Sequence, residues 1–210
     1  MSGFIRPPGP VGGGLKIGLL GGSFNPAHEG HRYVSEVALK RLGFDYVWWL
    51  VSPQNPLKPT IGMAPLSDRL VHARRCARNP RIVTMDIEKT LGTRYTIDTV
   101  TALQRRFGDT RFVWLMGSDN LESFHRWRRW QEIARRIPIA VVLRPGAALP
   151  ARAKAMQRLA RAWIKSPGRI ATAEPPAIAV VDGHRCFASA TAIRARAGWS
   201  EALVGAIPPC

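Results

Sequence analysis

The sequence predicts an α/β protein built on one doubly wound parallel sheet with helices on both faces. Three observations carry that prediction. Apolar runs of strand length alternate with segments of helical periodicity along almost the whole chain. The runs are apolar at consecutive positions, as in Tyr46 to Val51 (Tyr-Val-Trp-Trp-Leu-Val), which suits strands buried on both faces. The first run ends in Gly21-Gly22, shortly before a helical pattern, and open parallel sheets bind ligands at such a strand-to-helix passage.

Taken in order, residues 1–14 are rich in Gly and Pro and read as a mobile tail, with one domain over residues 15–210. Leu15 to Leu20 is the first strand, and Gly21-Gly22 is expected to turn the chain sharply and let a ligand close to the backbone. From Glu29, Tyr33, Val34, Val37, Ala38, Leu39 and Leu42 recur at helical spacing, and Gly43 marks the stop. Tyr46 to Val51 is the second strand. Ser52 to Pro65 holds Pro53, Pro56, Pro59 and Pro65 and reads as a long, functional loop, in which Lys58 is the only charge. A helix follows over Leu66 to Arg78, with Leu66, Leu70, Ala73 and Ala77 on one side, then a strand over Arg81 to Met85. Thr96 is the expected N-cap of a helix running to Phe107. Arg111 to Met116 is a strand that delivers Gly117-Ser118-Asp119. Pro138 to Leu143 is a strand, Pro150 to Ile164 a basic helix, and Ala177 to Val181 the last strand.

Composition narrows the function classes. At 210 residues, 46% of them hydrophobic, the chain is long enough to bury a sizeable core. No apolar run reaches membrane-span length and no signal-peptide pattern opens the chain, so a cytoplasmic protein with no membrane partner is expected. Cys76, Cys186 and Cys210 are scattered and read as free thiols in a reducing compartment. The net charge of +17 raises nucleic-acid binding. Basic residues cluster at Arg69 to Arg81, Arg126 to Arg136 and Arg152 to Lys165, and Trp127 and Trp130 could interleave them. No recognised nucleic-acid motif accompanies them. Much of the charge reads as a solvated face, and part of it could draw in anionic nucleotides.

His28 and His31 stand one helical turn apart, on one face of the helix start. Three readings stay open: a capping or packing pair, a metal pair, and a pair of donors to phosphate oxygens. A metal needs more ligands than these, and no Cys, Asp or Glu at ligand spacing supplies them. Phosphate donors account for the glycines and the helix start with the same ligand.

Gly22-Ser23-Phe24-Asn25-Pro26-x-His28-x-Gly30-His31 resembles the first signature of the HxGH nucleotidyltransferases, and Ser189-Ala190-Thr191-Ala192-Ile193-Arg194 resembles their second. Tyr95-Thr96-Ile97-Asp98-Thr99, Gly117-Ser118-Asp119-Asn120 and Val142-Leu143-Arg144-Pro145-Gly146 are similar to segments of the bacterial nicotinate-mononucleotide adenylyltransferases. The resemblance runs from about Leu15 to Ile207. Ala190 stands where members usually carry Ser or Thr, and members usually continue past Pro208-Pro209-Cys210 with a terminal helix.

The resemblance implies a Rossmann-like fold and adenylyl transfer from ATP to nicotinate mononucleotide, with Mg²⁺ accompanying ATP. It implies that His28, His31 and Arg194 act in catalysis. ATP would be held by Gly21, Gly22, Ser23, Phe24, His28, His31, Gly117, Asp119, Ser189, Ile193 and Arg194, and the acceptor by Lys58, Thr96, Trp127 and Arg128. Asp119 could touch a ribose or the metal's shell, or simply cap a helix starting at Asn120. Trp127 could stack on the pyridinium ring, or pack with Phe124 and Trp130. A pantetheine-phosphate or nicotinamide-mononucleotide adenylyltransferase would keep both signatures and change the acceptor pocket. A basic nucleic-acid-binding protein on the same scaffold is the alternative of another class.

Overall fold

The computed structural model describes residues 7, 9–53, 62–143 and 157–182. Lys58, Ser189, Ile193 and Arg194 lie outside them, as do the start of the predicted basic helix and the second signature as a whole.

Six parallel strands form one sheet: β1 (Lys16–Gly22), β2 (Tyr46–Val51), β3 (Ile82–Met85), β4 (Arg111–Gly117), β5 (Ile139–Val142) and β6 (Ile178–Val181), in the order β3-β2-β1-β4-β5-β6. The doubly wound sheet expected from the sequence is what forms. Its order reverses between β1 and β4, so a crevice opens beyond their carboxyl ends, the place where ligands bind in such sheets.

Each strand buries both faces, which is why the runs are continuously apolar. Val47, Trp49, Val51, Val113 and Leu115 face the cluster under α1 (Glu29–Arg41) and α2 (Leu66–Ala77). Ile17, Leu19, Trp48, Leu50, Phe112, Trp114 and Met116 face the opposite cluster. That side is covered by α3 (Ile87–Leu91), α4 (Thr96–Arg106), α5 (Ser118–Phe124) and α6 (Trp130–Arg136). Helix α1 is C-capped by Leu42, and Gly43 follows at φ +66, a left-handed conformation that costs glycine little.

Several expectations are corrected. Gly21 and Gly22 are not a turn. They extend β1 in register with Leu50 and Val51, and the chain turns only at Ser23 to Pro26, where Phe24 takes φ 47. Gly21 serves packing: a Cβ there would stand 2.6 Å from the Trp114 ring. Tyr95, not Thr96, is the N-cap of α4. Its backbone is extended and it makes no side-chain cap, while Thr96 is already helical. Asp119 does not cap a helix at Asn120, because α5 begins at Ser118 with Gly117 as its N-cap. The described end of the predicted basic helix is a 3-10 turn at Ala160–Ala162, after which Trp163 bridges to Ile178. Cys76 is buried, its Sγ 3.7 Å from the His72 ring nitrogens, and Cys186 and Cys210 lie outside the described residues. At the amino end, Gly12 N–H donates to Thr110 Oγ1 and Gly14 N–H to the Asp109 carbonyl.

Candidate active site

The first signature lies at the carboxyl end of β1, on the crevice. His28 is the N-cap of α1, with extended backbone. Its Nδ1 accepts from Gly30 N–H at 3.0 Å, while His31 Nδ1 accepts from His28 N–H at 3.2 Å, a reciprocal capping box made by two imidazoles. A neutral ring that accepts at Nδ1 carries its proton at Nε2. Each histidine is thereby set as an Nε2–H donor, and the two rings lie 3.9 Å apart between centroids. Capping and phosphate donation are compatible uses of the same rings, one at each nitrogen.

The pair is supported from below. Phe24, buried in its left-handed conformation, lies 4.5 Å from the His31 ring and stacks on Trp49 at 5.1 Å. Trp49 Nε1–H donates to Ser35 Oγ at 2.7 Å, and Ser35 Oγ–H donates to the His31 carbonyl at 2.8 Å. Asn25 turns its side chain away to the next loop, donating to the Gly62 carbonyl at 2.9 Å and accepting from Ala64 N–H at 3.1 Å.

Across the crevice, β4 ends at Gly117, and Asp119 sits exposed in the first turn of α5. A little further out are the residues the sequence linked to an acceptor. The start of α4 at Thr96 has no side-chain cap, and in its first turn Asp98 N–H donates to the Tyr95 carbonyl at 3.0 Å. Arg128 lies over the neighbouring Tyr95 ring at 4.5 Å, which brings the Thr96 and Arg128 segments together. Trp127 is edge-packed against Phe124 at 5.4 Å and Trp114 at 5.9 Å, and Trp130 against Phe124 at 5.7 Å. Neither tryptophan stands free as an exposed stacking platform for nucleic acid. Between them Arg129 takes φ 53 as the N-cap of α6, which starts anew after α5 has ended at Phe124.

Two buried charges were missed. Glu88 is 5% exposed, and its carboxyl group takes hydrogen bonds from the side chains of Ser52 and Thr99. Burial raises its pKa, and those two bonds oppose the rise without cancelling it. Arg69 is 1% exposed although it heads a cluster read as a basic face. Burial pulls its guanidinium below the ordinary value. A signal for Arg69 was present, since it shares a helical stripe with the buried Ala73 and Cys76. Glu88 lies on α3, a helix too short to show a period.

Known proteins are similar to this chain in sequence and in fold. The cytidylyltransferase-like family model matches residues 19–196. A probable nicotinate-nucleotide adenylyltransferase of Parvibaculum lavamentivorans is 53% identical over 190 residues, spanning 89% of this chain and 94% of the relative. One from Cereibacter sphaeroides is 52% identical over 186 residues, 88% of this chain and 100% of the relative. Among solved structures, the Plasmodium falciparum nicotinic acid mononucleotide adenylyltransferase complexed with NaAD matches with a TM-score of 0.67 at 14% identity, over 86% of this chain and 83% of that one. At that identity the likeness is one of fold.

Proposed function

We infer the reaction from the family to which the chain belongs, the nicotinate-nucleotide adenylyltransferases. It transfers the adenylyl group of ATP to nicotinate mononucleotide, giving nicotinate adenine dinucleotide and pyrophosphate in NAD biosynthesis. A phosphate oxygen of the acceptor attacks the α-phosphorus of ATP, and the bond from that phosphorus to the β-phosphate's bridging oxygen breaks. The nucleophile belongs to the substrate. The protein's task is to bring two anions into line and stabilise the charge that shifts between them.

The observation that carries the site assignment is the His28–His31 box. Both Nδ1 atoms accept from the backbone, so each neutral ring carries its proton at Nε2, and the pair stands at the carboxyl end of β1. Such donors suit the triphosphate of ATP, with the Gly21 to Phe24 backbone beside them and Gly117 and Asp119 across the crevice. Ser189, Ile193 and Arg194, from the second signature, are assigned to the same phosphates. Arginine suits that role by its fork of donors. Among the described residues no group of three His, Cys, Asp or Glu side chains could hold a metal ion. Magnesium accompanying ATP would be held chiefly by phosphate oxygens and water and would neutralise the triphosphate. The acceptor is assigned to Lys58, Thr96, Trp127 and Arg128, its carboxylate to the uncapped start of α4, where the helix dipole favours an anion. Residues 15–210 form the catalytic unit. No described helix is long and apolar enough to cross a membrane, and we place the reaction in the cytoplasm.

The test is pyrophosphate release from MgATP across a panel of acceptor mononucleotides. Turnover with nicotinate mononucleotide is expected, and none with any mononucleotide would overturn the reading. A hydrogen bond to a charged group is worth roughly 1.5–3 kcal/mol. The acid should then exceed the amide in kcat/KM by about 10- to 150-fold per bond. Parity would overturn the pocket and leave adenylyl transfer intact.

A further inference from the structure

Arg69 holds a position that its place on a surface-facing helix does not explain. Nε donates to the Ala64 carbonyl at 2.8 Å, Nη1 to the carbonyls of Ser23 at 2.6 Å and Ser52 at 2.8 Å, and Nη2 to that of Pro53 at 2.9 Å. Among the described residues every partner is a main-chain carbonyl and none is a carboxylate. A buried guanidinium without a counter-ion is costly, and a fold that needed only to fill this space would do so more cheaply with an apolar side chain. The four carbonyls come from three separate stretches: the turn after β1, the exit of β2, and the approach to α2. Asn25, in the first of these, grips the third from the other side through Gly62 and Ala64.

A peptide unit is planar and trans, so its C=O and N–H point in opposite directions. By holding the Ser23 carbonyl inward, Arg69 turns the following N–H, that of Phe24, away from the guanidinium. Phe24 is also the ring against which His31 rests. One side chain thus sets both the backbone of the turn and the base of the histidine pair.

We propose that Arg69 is a positioning residue for adenylyl transfer, a four-carbonyl clamp that fixes the turn at Ser23–Phe24 against the exit of β2 at Ser52–Pro53. The proposal rests on the reaction inferred above. Failure of that reading would appear as an inactive wild-type protein, before any variant is compared. A clamp of this kind acts on geometry. Its loss should therefore lower kcat more than it raises the KM of either substrate, since small misplacements of donors cost most in the transition state.

The experiment compares wild type with Arg69→Ala and Arg69→Lys, each checked for folding by circular dichroism. Each is assayed with and without added ethylguanidinium or ethylammonium. In Arg69→Ala, kcat is expected to fall about 100-fold. Ethylguanidinium should restore it at least tenfold, and the ammonium of equal charge should not, because only the planar fork reaches several carbonyls at once. Arg69→Lys keeps the charge and should still lose about tenfold in kcat while folding. Should Arg69→Ala fail to fold, Arg69→Lys decides alone. Hydrogen exchange adds a readout independent of turnover: amides at residues 22–28 and 62–66 should exchange faster in Arg69→Lys, and those of α4 should not. A folded variant within twofold of wild-type kcat, rescue by both amines alike, or failure of both variants to fold would overturn the proposal and leave Arg69 a packing residue.

Discussion

His28 uses one ring for two purposes, and a substitution can separate them. Asparagine also caps helices, so His28→Asn should keep α1 intact while removing the Nε2–H donor. The expected result is a near-normal Tm with kcat lower by about 10²–10³. His28→Ala should lose the cap as well, for about 1 kcal/mol more in stability. Equal kcat in His28→Asn and wild type would leave this histidine a cap only. Glu88 gives the second test at this scale. Its pKa is raised in the fold, so the folded state binds the proton more tightly than the unfolded chain does. The stability this confers is fully present below the ordinary value of 4.5 and is lost as pH rises through the raised one. Glu88→Gln keeps a partner for Ser52 and Thr99 and carries no charge. Thermal unfolding should show the variant at least as stable as wild type at pH 7.5, with the difference vanishing near pH 4. A variant markedly less stable at pH 7.5 would mean that the ionised carboxylate is what the site needs. The place of the first signature beyond β1 was readable because its pattern lies in residue types at short spacing. Arg69 and Glu88 were not, because what makes them matter is burial by segments far away in sequence.

Among the elements, the strands were legible to within two residues, since burial on both faces leaves an unbroken apolar run. The ends of β1 and α4 were less so. Pairing with β2 draws Gly21 and Gly22 into the sheet although glycine favours a turn, and a tyrosine packed beneath Arg128 occupies the cap position that a threonine by type should take. The break at Arg129 had no signal, because arginine does not favour a positive φ. The close approach of β1 to β4 can be tested directly. Gly21→Ala drives a methyl group against the Trp114 indole, an overpacking that should cost about 1–3 kcal/mol. A loss of about 2–4 °C in Tm per kcal/mol is the scale for a chain of this size. Adding Trp114→Phe should recover part of it, and a Gly21→Ala protein as stable as wild type would show that the two strands part at no cost.

Over the whole molecule, the net charge of +17 acts at long range in two opposite directions. It attracts anionic substrates and it repels itself. Raising salt from about 20 mM to about 200 mM should therefore lower kcat/KM for MgATP while raising Tm, as screening lengths shorten. A kcat/KM independent of salt would show that the arginines do not steer ATP. The strand order has a consequence in time. Beta1 lies between β2, which follows it closely, and β4, whose Arg111 is the partner of Lys16. On a ribosome adding roughly 5–20 residues each second, the strand that leads to the histidine pair must wait seconds with one edge unpaired. Contacts so distant along the chain also slow folding. The nascent protein thus passes through a stage in which the future crevice is an open, apolar sheet edge, the form most exposed to chaperones and to aggregation.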